Sequence, residues 1–229
     1  MRIEYKDYLY RGGHDVKRDE QMKYVALGDS LTVGVGASFL APGFVGRFAK
    51  FTEQTHQSQI CTNVYAKSGI ETGEVLEMIE STDLHSHISR AHLITISAGG
   101  NDLIQASKDF MESGETDELT QSVKECYLNM MKIMEILHML KKECRLPFRI
   151  YLLNLYNPLP KIPLADKWVS LFNRHLNSFH NGESVVVADL YSVFKGKQET
   201  FLSRDRVHPN DLGYEAIAQT LVALGYPKF

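Results

Sequence analysis

Short apolar runs rich in β-branched residues alternate along the chain with longer segments of helical periodicity, and this alternation constrains the fold most. The runs predicted to be strands are residues 23–27, 60–66, 93–98, 149–155 and 184–188. Strands separated by helical segments are typical of βαβ units, which build a parallel sheet covered by helices. The pattern therefore predicts an α/β fold, a three-layer α/β/α sandwich around a five-stranded parallel sheet.

The longest helical segment, residues 116–142, carries an apolar side chain at every third or fourth position. These side chains are Leu119, Val123, Tyr127, Met130, Met134 and Leu137. Such spacing predicts one buried face of an amphipathic helix, so the methionines are interpreted as core packing rather than as a cofactor site. Further helices are predicted at 43–54, 73–81, 165–179 and 212–224, with Gly182 and Gly225 as stop signals.

The chain has 229 residues, of which 44% are hydrophobic, and this size suits one large domain better than two small ones. No repeat or Gly/Ser linker interrupts it. Residues 22–229 are therefore predicted to form a single domain, preceded by a polar N-terminal extension over residues 1–21.

Charge and hydropathy exclude several classes of partner. The formal net charge is −3 and there is no basic run, so nucleic acid is not an expected partner. The charged N-terminal segment contains no apolar core of a signal peptide, and no apolar run reaches the roughly 18 residues of a membrane-spanning helix. A cytoplasmic protein is predicted, while nothing in the sequence indicates its oligomeric state.

Cysteine and histidine patterns do not indicate a metal site. Cys61, Cys126 and Cys144 are too few and too scattered for a disulfide framework or a zinc site, so they are expected to be free and buried. His85 and His87 form an H-x-H pair without further ligands and are interpreted as a solvated surface pair.

Two motifs at opposite ends of the chain combine into a candidate catalytic set. Gly28-Asp29-Ser30-Leu31 follows the first strand and places a hydroxyl at a strand-to-helix turn, where it needs a neighbouring base to become nucleophilic. Asp205-Arg206-Val207-His208-Pro209 precedes the final helix, and an Asp three residues before a His can orient its ring. Taken singly, the first is also a common turn sequence and the second an ordinary loop before a helix.

Two further blocks make the combination specific. Lys67-Ser68-Gly69 follows the second strand and Gly99-Gly100-Asn101-Asp102 follows the third. With all four blocks in this order, the sequence resembles the SGNH/GDSL hydrolase family over about four-fifths of its length, from Gly28 to Pro209. The resemblance implies a flavodoxin-like fold.

The resemblance also assigns roles to individual residues. It makes Ser30 the nucleophile, His208 the general base and Asp205 its orienting partner. The oxyanion hole would consist of the backbone N–H groups of Ser30 and Gly69 and the side-chain amide of Asn101. A glycine leaves room for the tetrahedral oxygen, and a neutral amide can stabilise developing negative charge. No metal or cofactor is implied.

Two rival sites lack their motifs. The α/β-hydrolase elbow needs G-x-S-x-G, and position 32 is Thr. Gly34 and Gly36 do not complete either nucleotide-binding glycine pattern and are interpreted as turn glycines.

The proline-rich loop after the fourth strand is the candidate substrate-binding segment. Its candidate residues are Tyr156, Leu159, Ile162 and, just beyond it, Trp168. Apolar side chains on a stiffened loop at this edge of the sheet could line an acyl-chain groove, although the same loop could be a plain connector packed on its own helix. Its Tyr-Asn-Pro segment is similar to that of family members from Gram-positive spore formers, including spore germination lipases.

The predicted function is therefore a serine esterase acting on acyl esters, with lipid or phospholipid esters as the expected substrates. Carbohydrate deacetylase, thioesterase and lysophospholipase activities belong to the same chemistry and stay open. A non-catalytic structural or binding protein that keeps the fold, for example in a spore layer, is the alternative from another class. The intact Ser, Gly, Asn, Asp and His set argues against it.

Overall fold

The computed structural model describes residues 21–114, 116–143 and 146–228. Apart from Gln21, the predicted N-terminal extension lies outside the described residues, as does Cys144. The strands are β1 (Met22–Gly28), β2 (Ile60–Ala66), β3 (Leu93–Ser97), β4 (Arg149–Leu153) and β5 (Val185–Ala188). The helices are α1 (Ser30–Val33), α2 (Phe44–His56), α3 (Thr72–Glu80), α4 (Thr82–Arg90), α5 (Gly100–Ser113), α6 (Thr116–Glu143), α7 (Pro163–Asn177), α8 (Leu190–Phe194), α9 (Gln198–Phe201) and α10 (Asp211–Ala223).

The strands form one parallel sheet in the order β2-β1-β3-β4-β5. This is the strand order of flavodoxin-like doubly wound folds, so the predicted fold class is confirmed. In such sheets the ligand sites lie at the carboxyl ends of the strands, near the point where the strand order reverses. Here that point lies at the end of β1.

Successive side chains of each strand pack against different helices, because neighbouring side chains of a strand point to opposite faces of the sheet. Val25 and Leu27 belong to one apolar cluster, together with α3, α4, α6 and α7. Tyr24 and Ala26 belong to the other, together with α2, α8 and α10. The sheet is thus the middle of three layers. That residues 22–229 are a single domain stays a prediction, which one cooperative unfolding transition would support.

The predicted strands and helices match the observed ones to within two residues at each end. The predicted strand β4 is two residues too long, because the backbone of Leu155 bonds to the side chain of Asn173 instead of to a neighbouring strand. Five helices, α1, α4, α5, α8 and α9, were not predicted. In α4 only Leu84 and Ile88 are buried, so its apolar pattern is too short to recognise.

The cysteine prediction is correct for Cys126, which is buried, and wrong for Cys61, which is exposed because it lies on the edge strand β2. His87 contacts the hydroxyl of Tyr65, and His85 lies 3.1 Å from the backbone oxygen of Ile79. In the part of the chain that is described, no helix is both long and apolar enough to cross a membrane.

Candidate active site

Strands β1, β2 and β3 end together, because Gly28 pairs with Ala66 on one side and with Ser97 on the other. The loops that follow emerge side by side at one edge of the sheet. Each of them carries one residue singled out by the sequence: Ser30, Gly69 and Asn101. The register of the sheet therefore gathers three segments that are well separated in the chain.

Backbone hydrogen bonds tie these loops to one another. The amide of Lys67 donates to the oxygen of Gly28 at 3.1 Å, and the amide of Asp29 donates to the oxygen of Ser97 at 3.2 Å. Gly28 has a φ of 143°, and a Cβ there would lie 2.2 Å from the oxygen of Ser97. Only glycine allows β1 to approach β3 so closely, which fixes the start of the Ser30 turn.

Asp29 stabilises this turn through hydrogen bonds of its side chain. Its Oδ1 accepts hydrogen bonds from the amide of Leu31 at 3.0 Å and from the hydroxyl of Ser97 at 2.7 Å, which caps α1. Burial raises the pKa of the Asp29 carboxyl, although these hydrogen bonds and the nearby His208 partly offset it. The partners of Asp29 are thus groups of the turn and of β3, so its role here is structural.

Ser30, His208 and Asp205 form one hydrogen-bonded chain. The Nε2 of His208 lies 2.9 Å from the Oγ of Ser30, and the Nδ1 of His208 lies 2.6 Å from the Oδ2 of Asp205. Ser30 and His208 are 178 positions apart in the sequence. This is the arrangement in which a histidine can take the proton of a serine while a carboxylate orients its ring.

The other carboxylate oxygen of Asp205 accepts hydrogen bonds from the loop that carries it. Its Oδ1 accepts from the hydroxyl of Ser203 at 2.8 Å and from the amides of Val207 and His208, both at 2.9 Å. Partial burial alone would raise the pKa of Asp205, but the hydrogen bonds from His208, Val207 and Ser203 outweigh it and hold the pKa well below its usual range. Asp205 is therefore a carboxylate at neutral pH, oriented by one oxygen and paired with His208 by the other.

The loop that carries His208 is held on both flanks. Leu202 pairs with Pro209 in an antiparallel bridge, and the amide of Ser203 donates to the oxygen of His208 at 2.7 Å. The hydroxyl of the buried Tyr156 donates to the oxygen of Val207 at 2.6 Å. These bonds fix the backbone next to His208, so its ring is presented to Ser30 by a defined loop.

Gly36 packs against the same loop from the side of the nucleophile. It has a φ of 94°, and a Cβ there would lie 2.6 Å from the oxygen of Pro209 and 2.9 Å from the Cβ of His208. The sequence indicated only a turn glycine at this position. The structure adds a second requirement, because the space that a side chain would need is occupied by the His208 loop.

The Gly69 and Asn101 loops are linked next to Ser30. The Nδ2 of Asn101 donates to the oxygen of Ile70 at 2.7 Å, which uses one of its two N–H groups. Gly69 has a φ of 86°, and a Cβ there would meet nothing within 4 Å. Among the described residues, no acceptor takes a hydrogen bond from the backbone N–H of Ser30 or Gly69. Three donors on linked loops are thus available to a ligand oxygen.

Asp102 fixes the turn that follows Gly69. Its Oδ1 accepts from the hydroxyl of Thr72 at 2.6 Å and from the amide of Thr72 at 3.1 Å. The amide of Asn129 also donates to the Thr72 hydroxyl, at 3.1 Å. The start of α3 is therefore tied to α5 and α6.

Residues 26–216 match the model of the GDSL-like lipase/acylhydrolase family. The chain belongs to this family. It is 42% identical to the spore germination lipase LipC of Bacillus licheniformis over 207 residues, which are 90% of this chain and 98% of LipC. It is also similar to the crystal structure of the lipase Lip_vut3 from a goat rumen metagenome, with a TM-score of 0.87, 41% identity, and coverage of 91% of this chain and 99% of the lipase.

More distant members of the fold include Axe2, an acetylxylan esterase of Geobacillus stearothermophilus. Its TM-score is 0.65 at 17% identity, with coverage of 90% of this chain and 94% of Axe2, so the likeness concerns the fold alone. The family match and the two lipases identify the present chain as a GDSL-type esterase or lipase.

In this acylhydrolase, the predicted substrate-binding residues do not share one environment. Trp168, a residue of α7, is 6% exposed and packs in the core. Tyr156 is 8% exposed, and its ring stacks on Phe194. Leu159 and Ile162 are 50% and 47% exposed. Of the four predicted residues, only Leu159 and Ile162 present a large accessible apolar surface.

The loop that bears Leu159 and Ile162 is held by buried amides. Asn157 accepts from the amide of Leu159 at 2.8 Å and donates to Asp166 at 3.2 Å. Asn173 both accepts from and donates to the backbone of Leu155, at 2.8 and 2.7 Å. Because the buried amides bond within the loop and to α7, the loop keeps a defined shape beside the His208 loop.

Proposed function

We propose that this esterase works by covalent catalysis at Ser30. His208 takes the hydroxyl proton as the Ser30 oxygen bonds to the ester carbonyl carbon, and passes that proton to the leaving alcohol. Water then releases the acyl group by the same steps. The observation that carries the proposal is the continuous hydrogen-bonded chain from Ser30 through His208 to Asp205, at 2.9 and 2.6 Å.

The backbone N–H groups of Ser30 and Gly69 and the Nδ2 of Asn101 are proposed as the oxyanion hole. Their positions on three linked loops support this role, as does the open space above Gly69. Donors fixed by the fold stabilise the oxyanion without rearranging during the reaction. The bond from Asn101 to Ile70 leaves one N–H of the amide for this purpose.

We propose acyl esters of lipids, including phospholipids, as the substrate class. The exposed apolar side chains of Leu159 and Ile162 and the similarity to two proteins described as lipases support this choice. The description of LipC as a spore germination lipase supports an association of this chain with spores as well. Acetylated carbohydrates and thioesters are the alternative substrates within the same chemistry.

A panel of p-nitrophenyl esters from acetyl to palmitoyl, measured beside a phospholipid and an acetylated xylan, tests the substrate class. We expect kcat/KM to rise from acetyl to medium or long chains, because an apolar wall stabilises each added methylene. Turnover confined to acetyl esters and acetylated xylan would contradict the lipid assignment and leave the serine mechanism intact.

Replacing Leu159 or Ile162 with Ser is expected to lower kcat/KM for octanoyl esters about tenfold, while acetyl esters lose little. A partly buried methylene contributes up to about 0.8 kcal/mol, and only the longer acyl chain reaches the wall. Met139→Ser is the matched control, since Met139 is a 56% exposed residue of α6. Equal losses on octanoyl and acetyl esters would show that the loop does not select chain length.

Gly36→Ala is expected to lower kcat on the order of 10-fold to 10²-fold, because the added methyl displaces the His208 loop and catalytic geometry tolerates little displacement. Gly196→Ala is the matched control. Gly196 also has a positive φ, of 75°, but a Cβ there would meet nothing within 4 Å. Both variants lose about 1–2 kcal/mol of stability from the strained backbone. Equal kcat values in the two variants would show that Gly36 is only a turn glycine.

A further inference from the structure

The loop between α1 and α2 carries two apolar side chains that are almost fully exposed. Phe39 is 94% exposed and Leu40 is 88% exposed, the highest values among the large hydrophobic residues that the structure describes. Leu40 also has a φ of 65°, in the left-handed region that a branched side chain rarely occupies. These two side chains therefore face the surroundings and contribute almost nothing to the packing of the core.

A third exposed apolar residue lies beside them. The amide of Ser38 donates to the Oδ1 of Asp211 at 3.0 Å, which ties the loop to the first turn of α10. Leu212, the next residue of that turn, is 59% exposed. We call Phe39, Leu40 and Leu212 the apolar rim.

The apolar rim borders the mouth of the candidate active site. Gly36, three residues before Phe39, packs against the Cβ of His208 and the oxygen of Pro209. The hydroxyl of Tyr214 donates to the oxygen of Val35 at 2.6 Å and anchors the base of the loop in the α10 layer. A surface that receives the rim would therefore lie directly beside His208.

The charged groups beside the rim are one cation and two carboxylates. Arg47 lies 2.7 Å from Glu215 and 3.7 Å from Asp211, so Arg47 is paired and the three side chains together carry a net charge of −1. In this described group no cation is left for an anionic surface, whereas a zwitterionic or uncharged surface needs none.

The size of the rim favours a lipid surface over a protein partner. A stable protein interface takes about 20–30 residues from each side, far more than three side chains supply. A lipid surface accepts a few inserted aromatic and aliphatic side chains, each of which strengthens binding independently.

We propose that the apolar rim inserts into the surface of a zwitterionic or neutral lipid aggregate and holds the mouth of the active site against it. This inference rests on the proposed action on lipid esters and adds the surface by which the enzyme reaches them. Soluble esters, which enter from solution, do not need the rim.

The test compares the wild type with the double variant Phe39→Ser/Leu40→Asn, since Asn tolerates the left-handed conformation at position 40. Flotation with phosphatidylcholine vesicles is measured in a His208→Ala background, so that no lipid is consumed. Turnover is measured on a triolein emulsion and on dissolved p-nitrophenyl acetate. Met139→Ser controls for loss of an exposed apolar side chain elsewhere, and thermal midpoints verify folding.

We expect the double variant to lose about 10²-fold in vesicle binding and in emulsion turnover, or roughly tenfold for each side chain, with kcat/KM on p-nitrophenyl acetate unchanged. Vesicle binding that is absent in the wild type, equal in the double variant or confined to anionic lipid overturns the inference. A concentration-dependent dimer that the double variant abolishes, with vesicle binding unaffected, overturns it as well. Failure of the proposed lipid specificity differs from all of these, because it appears as absent emulsion turnover by the wild type while its His208→Ala form still floats with the vesicles.

Discussion

Ser30→Ala should reduce kcat by about 10⁶-fold while the protein stays folded, the largest effect expected of any single substitution in this chain. The substitution removes the oxygen that lies 2.9 Å from the Nε2 of His208 and leaves the remaining hydrogen bonds of the Ser30 turn in place. His208→Ala should cause a loss of similar size, and the double variant should be no worse than either single one, because the two residues act as a unit.

The control for this prediction is Ser107→Ala. Ser107 is an exposed serine of α5 whose hydroxyl donates to the oxygen of Leu103 at 2.6 Å, so its removal also costs one hydrogen bond. Its kcat should be close to that of the wild type. Robust hydrolysis by folded Ser30→Ala would contradict the mechanism, and so would losses that multiply in the Ser30/His208 double variant.

Asn101→Ala should lower kcat by about 10²–10³-fold, equivalent to roughly 2.7–4 kcal/mol of transition-state stabilisation, with KM nearly unchanged. The reason is that a donor aimed at the oxyanion matters more once the carbonyl oxygen carries negative charge. The same substitution also removes the bond to the oxygen of Ile70, which should lower stability by about 1 kcal/mol.

Asn129→Ala separates these two effects. Asn129 donates to the hydroxyl of Thr72, near the turn that Asn101 binds through Ile70, but it is not one of the three proposed oxyanion donors. We expect a lowered thermal midpoint with kcat within a fewfold of the wild type. If Asn101→Ala shows the same pattern, Asn101 only anchors the turn and leaves the list of proposed oxyanion donors.

The parts of the fold that the sequence predicts are those with a local pattern. Buried strands such as β5 are continuous apolar runs, and α6 repeats its apolar face over many turns. Helix α4 buries only Leu84 and Ile88, which is too few apolar positions to show a helical period. The exposure of Cys61 could not be predicted for a different reason. It depends on β2 being the edge strand of the sheet, and the sequence does not reveal the strand order.

In the candidate site, too, the residues in local motifs were predictable and the contacts between distant segments were not. Ser30, Gly69, Asn101 and the Asp205–His208 pair lie in recognisable short motifs, so their grouping was expected before the structure. The close packing of Gly36 on the His208 loop and the bond from Tyr156 to Val207 join segments far apart in the chain and leave no local signal. Trp168 follows the apolar loop in sequence, yet the helical phase of α7 turns it into the core.

The most direct measurement is labelling with a serine-directed fluorophosphonate, followed by mass spectrometry of the intact chain and of its peptides. The mechanism predicts one adduct per chain, on Ser30, because only a serine with a base in hydrogen-bond reach is strongly nucleophilic. Labelling should slow strongly in His208→Ala and vanish in Ser30→Ala. An adduct on another residue, or equal labelling of Ser30→Ala and the wild type, would contradict the assignment of Ser30 as the nucleophile.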